Sequence, residues 1–287
     1  MRWLIGAGAG LAAVLALLLV NTSRQAGHWA IGDRSPAELQ ALLADDWVLT
    51  RPAGKEGPAP LTLLASGCDG VRDNMAFWAG VFGDAGQAAL VVDSHTPRGL
   101  TSYELWRLVC AGQTLGGAER AGDLAVALAA MDGAEGLGDD LVLFGASHGG
   151  WSVMELLNHA LTGEVPPGLS DWPLPPGDIL DRLRGVVLLY PYCGMLNPTG
   201  AVAWPGGLPV QFLLASDDSV IDTAACLDTA AALRAAGADV RVTVFDGADH
   251  AFDQQERSVL SKMTFDATTR DAARAVVDDL LAEVARD

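Results

Sequence analysis

Between residues 60 and 285 the chain alternates short apolar runs with helix-length segments, and that alternation leaves few folds open. Pro60 to Ala65, Ala88 to Val92, Leu141 to Phe144, Gly185 to Leu189, Val210 to Leu214 and Val240 to Phe245 are long enough for buried strands and too short for helices. Asp73 to Phe82, Tyr103 to Cys110, Ala118 to Met131, Trp151 to Leu161, Thr223 to Ala236 and Ala267 to Ala285 read as amphipathic helices. Strand, helix, strand in succession calls for crossover connections and parallel pairing. One α/β domain is therefore expected over residues 47–287, with a mostly parallel central sheet and helices on both faces. Half of the residues are hydrophobic and only 19% are charged, enough apolar material for a core of that size.

Chemistry enters at Gly145-Ala146-Ser147-His148-Gly149, a G-x-S-x-G pattern after the run Leu141 to Phe144 and before the helical segment starting near Trp151. On a tight strand-to-helix turn the serine Oγ is lifted out of the sheet, and the flanking glycines let strand and helix approach without Cβ clashes. This is the nucleophile elbow of the α/β-hydrolase fold. A serine hydroxyl is a weak nucleophile at neutral pH and needs a histidine within hydrogen-bond reach. His28 lies in an N-terminal tether, His159 in a helical segment, His95 after another strand, and His148 beside the serine itself. His250, in the loop Asp246 to Asp253 after the strand Val240 to Phe245, comes last, as the Ser…Asp…His order of this fold demands.

The acid is expected between them, in Ser216-Asp217-Asp218 after the strand Val210 to Leu214; Asp218 is preferred, with Asp217 and Asp222 as competitors. Acyl transfer also needs two backbone N–H donors for the oxyanion. His148, directly after the nucleophile, supplies one. Cys68, in the loop Ser66-Gly67-Cys68-Asp69-Gly70, is the best candidate for the other, although a plain strand-to-helix turn has the same composition.

Ahead of the domain, Trp3 to Val20 is an uncharged, mostly apolar run between Arg2 and Asn21. As a helix it reaches about 27 Å, close to a hydrocarbon core and longer than the roughly 7–15 residues of a signal-peptide core. No A-x-A-like site follows Val20, so residues 1–24 are expected to be an uncleaved N-terminal transmembrane helix; secretion after signal cleavage is the alternative. Arg2 and the terminal amine put the N-terminus in the cytoplasm and the domain outside, in periplasm or extracellular space. Residues 25–46 read as a polar tether and a short helix, Ser35 to Leu43, with Ser35 as N-cap and Pro36 at its first position. The proline-rich stretch Gly163 to Gly177 is expected to be a loop, either a lid over the catalytic end of the sheet or a surface excursion.

With 36 acidic residues against 18 basic ones, a net charge of −18 excludes nucleic acid as a partner, since phosphate would be repelled. Cys68, Cys110, Cys193 and Cys226 include no C-x-x-C pair, which argues against a zinc knuckle or redox motif. In an exported protein they suit two disulfides, with three pairings open.

The order and content of these segments resemble the dienelactone hydrolase family, in particular its exported members with a serine nucleophile. The resemblance runs over residues 57–285 and rests on Leu63 to Gly70, Val91 to Gly99, the elbow around Ser147, Tyr190-Pro191-Tyr192-Cys193, Asp217-Asp218 leading to Cys226, and Gly247 to Asp253. It implies Ser147 as nucleophile, Asp218 as acid in preference to Asp217, His250 as base, and no cofactor or metal. It also implies disulfides joining Cys68 to Cys110 and Cys193 to Cys226; the family-like Asp93 to Arg98 is read as packing and loop shaping before catalysis, with His95 unassigned. The chain departs from the family at Ser147, where the founding enzymes have cysteine, and at Ser66, where related sequences have histidine. The expected function is hydrolysis of small-molecule carboxylic esters or lactones through a covalent acyl-enzyme. A peptidase or amidase on the same fold, or a catalytically silent membrane-tethered binding module, are the alternatives.

Overall fold

The computed structural model describes residues 2–29, 31–54, 57–101, 103–257 and 261–286, without the side chains of 2–7, 9 and 103–105. In chain order its elements are α1 (Arg2–Ala26), α2 (Pro36–Leu43), β1 (Val48–Thr50), β2 (Ala59–Ala65), α3 (Asp73–Asp84), β3 (Ala88–Val92), α4 (Tyr103–Cys110), α5 (Gly117–Met131), β4 (Leu137–Ala146), α6 (His148–Thr162), α7 (Pro176–Arg182), β5 (Leu183–Leu189), β6 (Pro209–Ala215), α8 (Thr223–Ala235), β7 (Asp239–Phe245) and α9 (Ala267–Val284). The strands form one sheet in the order β1-β3-β2-β4-β5-β6-β7, parallel throughout except where β1 pairs with β3.

Side chains of period two build two cores, one on each face of the sheet. Leu61, Leu63, Leu141, Leu143, Val186 and Leu188 point into the larger core with α5, α6 and α8, whereas Leu64, Val142, Phe144, Val187 and Leu189 face α3 and α9. Burial on both faces is why these strands read as unbroken apolar runs. β1 went unanticipated: three residues long, partly exposed and antiparallel at the edge, it lacks such a run. Ser35 caps α2 with a reciprocal Glu38 bond, and Pro36 occupies its first turn, as expected.

α1 is continuous from Arg2 to Ala26 and joined to the domain where Asn21 Nδ2 donates to the Gln113 carbonyl and Gln113 Nε2 to Thr22 Oγ1, each at 2.7 Å. Of the span expected from Trp3 to Val20, the side chains of Trp3 to Ala7 and of Ala9 lie outside the described residues. Among those described, no helix is long and apolar enough to cross a membrane, so a transmembrane helix is not supported. The described apolar stretch from Gly10 to Val20 is about 16 Å long, roughly half a hydrocarbon core.

The segment Gly163 to Gly177 is irregular as far as Pro175, after which Pro176 opens α7. It straps the helical layer: Arg34 bridges Leu169, Leu169 covers Gly122 of α5, and Gly168 lies against Ile31 and Glu119. Cys68 is bonded to Cys110 and Cys193 to Cys226, and no cysteine among the described residues is free. Two disulfides are the chemistry of an oxidising compartment, extracellular or periplasmic.

Candidate active site

Ser147 stands between the last residue of β4 and the first of α6 with φ 53° and ψ −118°, a left-handed conformation rare for a residue with a Cβ. The turn is held by Ser147 N donating to Leu189 O at 2.9 Å, while Ser147 O accepts from Trp151 N at 3.2 Å and from Tyr192 N at 3.1 Å. Tightness here depends on the motif glycines. A Cβ on Gly145 would sit 2.5 Å from Gly149 O, and one on Gly149 would sit 2.1 Å from Ala65 O. α6 therefore begins at His148, ahead of the position near Trp151 expected from periodicity.

The structure brings Ser147, His250 and Asp218 into one row. His250 Nε2 lies 2.9 Å from Ser147 Oγ, and His250 Nδ1 lies 2.8 Å from Asp218 Oδ2. Asp218 is fixed from behind, its Oδ1 accepting from Val220 N at 2.9 Å and Ile221 N at 2.7 Å. Asp249 Oδ1 accepts from Ser219 N at 2.9 Å and from His250 N at 2.7 Å, tying the loop after β6 to the loop after β7. Of the competing acids, Asp222 caps α8 through Ala224 N, and Asp217 is bonded to Ser216 Oγ. The His250 ring packs on Tyr190, centroids 4.6 Å apart. Tyr190 OH donates to Asp253, which also accepts from Trp78 Nε1 at 2.7 Å and Asn74 Nδ2 at 3.2 Å. Burial raises the Asp253 carboxyl above the ordinary range and holds the Tyr190 phenol neutral. Neither residue stood out from the sequence as a support for His250, although both lie in segments that carry the family resemblance, Tyr190 to Cys193 and Gly247 to Asp253.

The remaining histidines are not part of this row. His95 and His148 are buried and held well below the usual histidine range, by burial first and by Arg120 second. His159 Nδ1 lies 3.2 Å from Glu164 O, and His28 has a positive φ after α1. Asp93 shapes its loop by accepting from His95 N and Thr96 N, and Arg98 makes a two-pronged pair with buried Asp123 at 2.8 and 2.9 Å.

Cys68 and His148 flank the serine. Gly67 places the loop before Cys68 against Ser147, a Cβ there lying 3.8 Å from Ser147 Cβ, and the Cys110 bridge ties the loop to α4. The His148 N–H is in the first turn of α6, where no intrahelical acceptor exists. The His148 ring meets Trp151 at 5.1 Å, and Trp151 Nε1 donates to buried Glu155 Oε1 at 2.8 Å.

Burial raises the Glu155 pKa from 4.5 to about 7, with the Trp151 bond opposing the shift. A folded value above the unfolded one means a contribution complete below pH 4.5 and lost as pH rises through about 7. Glu155→Gln keeps a carbonyl for Trp151 and cannot ionise. Near pH 8 it is expected to be more stable than the parent by up to about 3 kcal/mol, with the two alike at low pH. Urea melts at both ends of that window check this, and a gap that does not widen with pH speaks against it.

A family model described as the dienelactone hydrolase family matches residues 178–284, the stretch holding Asp218 and His250. No curated protein matches the chain. Among solved structures, a putative dienelactone hydrolase from Klebsiella pneumoniae superposes with a TM-score of 0.63 at 18% identity, covering 83% of this chain and 92% of that one. A dienelactone hydrolase-like promiscuous phosphotriesterase from metagenomic libraries gives 0.58 at 16% identity, with coverage of 83% and 98%. Esterase 2 of Thermogutta terrifontis, phosphorylated by paraoxon, gives 0.58 at 15% identity, with coverage of 83% and 88%. Residues 178–284 thus resemble the dienelactone hydrolase family, and the chain as a whole shares the α/β fold of these solved hydrolases.

Proposed function

We propose that residues 47–287 form a serine esterase domain that cleaves small-molecule esters or lactones by acyl transfer to water. Ser147 Oγ attacks the carbonyl carbon while His250 Nε2 takes its proton, and the protonated imidazole then delivers that proton to the departing alcohol. Water repeats the sequence on the acyl-enzyme, returning Ser147 and releasing the acid. Asp218 holds the imidazole with its proton on Nδ1 and stabilises the cation that forms. The amides of Cys68 and His148 receive the oxyanion. The observation that carries this reading is the hydrogen-bonded row Ser147–His250–Asp218, its serine on a positive-φ turn. The adduct of paraoxon with the Thermogutta esterase supports the choice of an organophosphorus probe.

Residues 1–24 are read as a membrane anchor and 25–46 as its tether, with the domain outside the cytoplasm. Support comes from α1, where Leu17 and Leu19 are each 69% exposed and Leu11, Val14, Leu15 and Val20 are exposed as well, so that apolar surface runs around the helix. One experiment addresses both readings. Carbonate-washed membranes and soluble fractions are labelled with a fluorophosphonate, then assayed on nitrophenyl esters, lactones and aminoacyl anilides. Labelled protein in the membranes with ester turnover is the expected outcome. Label in the soluble fraction alone sinks the anchor, and anilide turnover exceeding ester turnover sinks the esterase in favour of an amidase.

A further inference from the structure

Behind the two segments that flank Ser147 lies Arg120, in the first turns of α5 and with no exposed surface. Among the described residues no carboxylate comes within ion-pairing distance of it; the nearby Asp123 is engaged by Arg98. The guanidinium instead points at the segments around Ser66 and His148. Its Nη1 donates to the Ser66 carbonyl at 2.9 Å and lies 3.0 Å from His148 Nδ1, and Nη2 is 3.5 Å from Ser66 Oγ. A guanidinium only donates, so His148 Nδ1 accepts and the ring carries its proton on Nε2.

The bonds therefore join two particular places. Ser66 is two residues before Cys68, and His148 directly follows Ser147, so one side chain ties together the two backbone stretches whose N–H groups would face a developing oxyanion. Each stretch has a second fastening: Cys68 is bonded to Cys110, and the His148 ring is packed on Trp151. Burial lowers the Arg120 pKa to about 10, leaving it cationic at neutral pH. Asp123 and Asp93 act on this charge through space, but neither reaches it as an ion pair, and a methionine or leucine would fill the same space without the cost of burying it. A fixed charge and a rigid fork behind an anion-forming site give a reason for an arginine that packing does not.

We propose that Arg120 is a positioning residue for the oxyanion hole, fixing the Ser66–Cys68 loop against the start of α6 and placing a permanent positive charge behind the carbonyl oxygen as it becomes anionic. The inference rests on the reading of Ser147 as nucleophile. It differs from a structural role in acting on the transition state more than on substrate binding or the fold.

Arg120→Met and Arg120→Lys are to be compared with the parent for kcat and KM on a nitrophenyl ester, for inhibition by an alkyl boronic acid, and for thermal midpoint. The boronic acid adds to the serine as a tetrahedral anion and reports on the hole directly. For Arg120→Met, kcat is expected to fall about 10- to 100-fold with KM within about threefold, and boronate affinity to fall by the same factor as kcat/KM. Arg120→Lys, which keeps the charge and loses the fork, should lie between. Folded variants with kcat and boronate affinity within about twofold of the parent overturn the proposal, as does a rise in KM at unchanged kcat. If Arg120→Met does not fold, Arg120→Lys decides by the same two readouts. A parent protein that neither labels at Ser147 nor turns over esters sinks the hydrolase reading itself; an active parent matched by its Arg120 variants sinks only the positioning role.

Discussion

Ser147→Ala is expected to lower ester turnover by about 10⁴- to 10⁶-fold and to abolish fluorophosphonate labelling while leaving the thermal midpoint within a few degrees of the parent. The substitution removes one atom, Oγ, which lies 2.9 Å from His250 Nε2. The backbone bonds that hold the turn, from Ser147 N to Leu189 O and from Trp151 N to Ser147 O, remain available to alanine. Residual activity should be what oriented binding and the oxyanion donors supply without a nucleophile. His250→Ala is expected to cost about as much, and the double variant little more, because the groups act as a unit. Intact-mass measurement after labelling, beside a turnover assay, checks all of this. Undiminished labelling of the Ser147 variant would refute the assignment.

Gly149→Ala should be strongly damaging: among the described glycines its added Cβ would meet the shortest contact. Its Cβ would lie 2.1 Å from Ala65 O, 2.5 Å from Ala65 C and 2.6 Å from Ser66 O, all backbone atoms with no rotamer to turn away. Relief requires α6 to lift from the end of β2, which disturbs the elbow and the loop leading to Cys68 together. The expected loss is about 3 kcal/mol or more, or roughly 6–12 °C in Tm, with turnover reduced in whatever protein still folds. Gly80→Ala is the control: on the exposed side of α3 a Cβ meets nothing within 4 Å, and alanine there should raise stability by up to about 1 kcal/mol. Chemical denaturation of both variants measures the difference, and a Gly149 variant as stable as the parent would mean that helix and strand separate at little cost.

Much of the architecture was legible because parallel strands buried on both faces have to be largely apolar, and β2 to β6 contain such runs, whereas β7, at the edge, alternates Val240, Val242 and Val244 with Arg241 and Thr243. β1 was not legible, since Val48, Leu49 and Thr50 pair only with β3 and leave one side to solvent. The start of α6 was obscured by Gly149 and Gly150, poor helix formers retained because backbone from β2 and Pro191 passes within a Cβ's reach. The placement of the acid illustrates a different limit. Asp217, Asp218 and Asp222 are near neighbours in sequence, and only the turn after β6 sends one of them to His250 while another caps α8. Arg120 was hidden altogether: within an alanine-rich helix a lone arginine reads as solvated, and its burial appears only once Ser66 and His148 close over it.

The carboxylate of Asp249 has a kinetic consequence. By gripping Ser219 N and His250 N at once, it ties the two late loops together, so His250 and Asp218 are held as one unit. A shift of these loops against the start of α6 would therefore part the imidazole from the hydroxyl before parting it from the carboxylate. With Nδ1–H held on Asp218, Nε2 could gain and lose a proton without any reorientation of the ring.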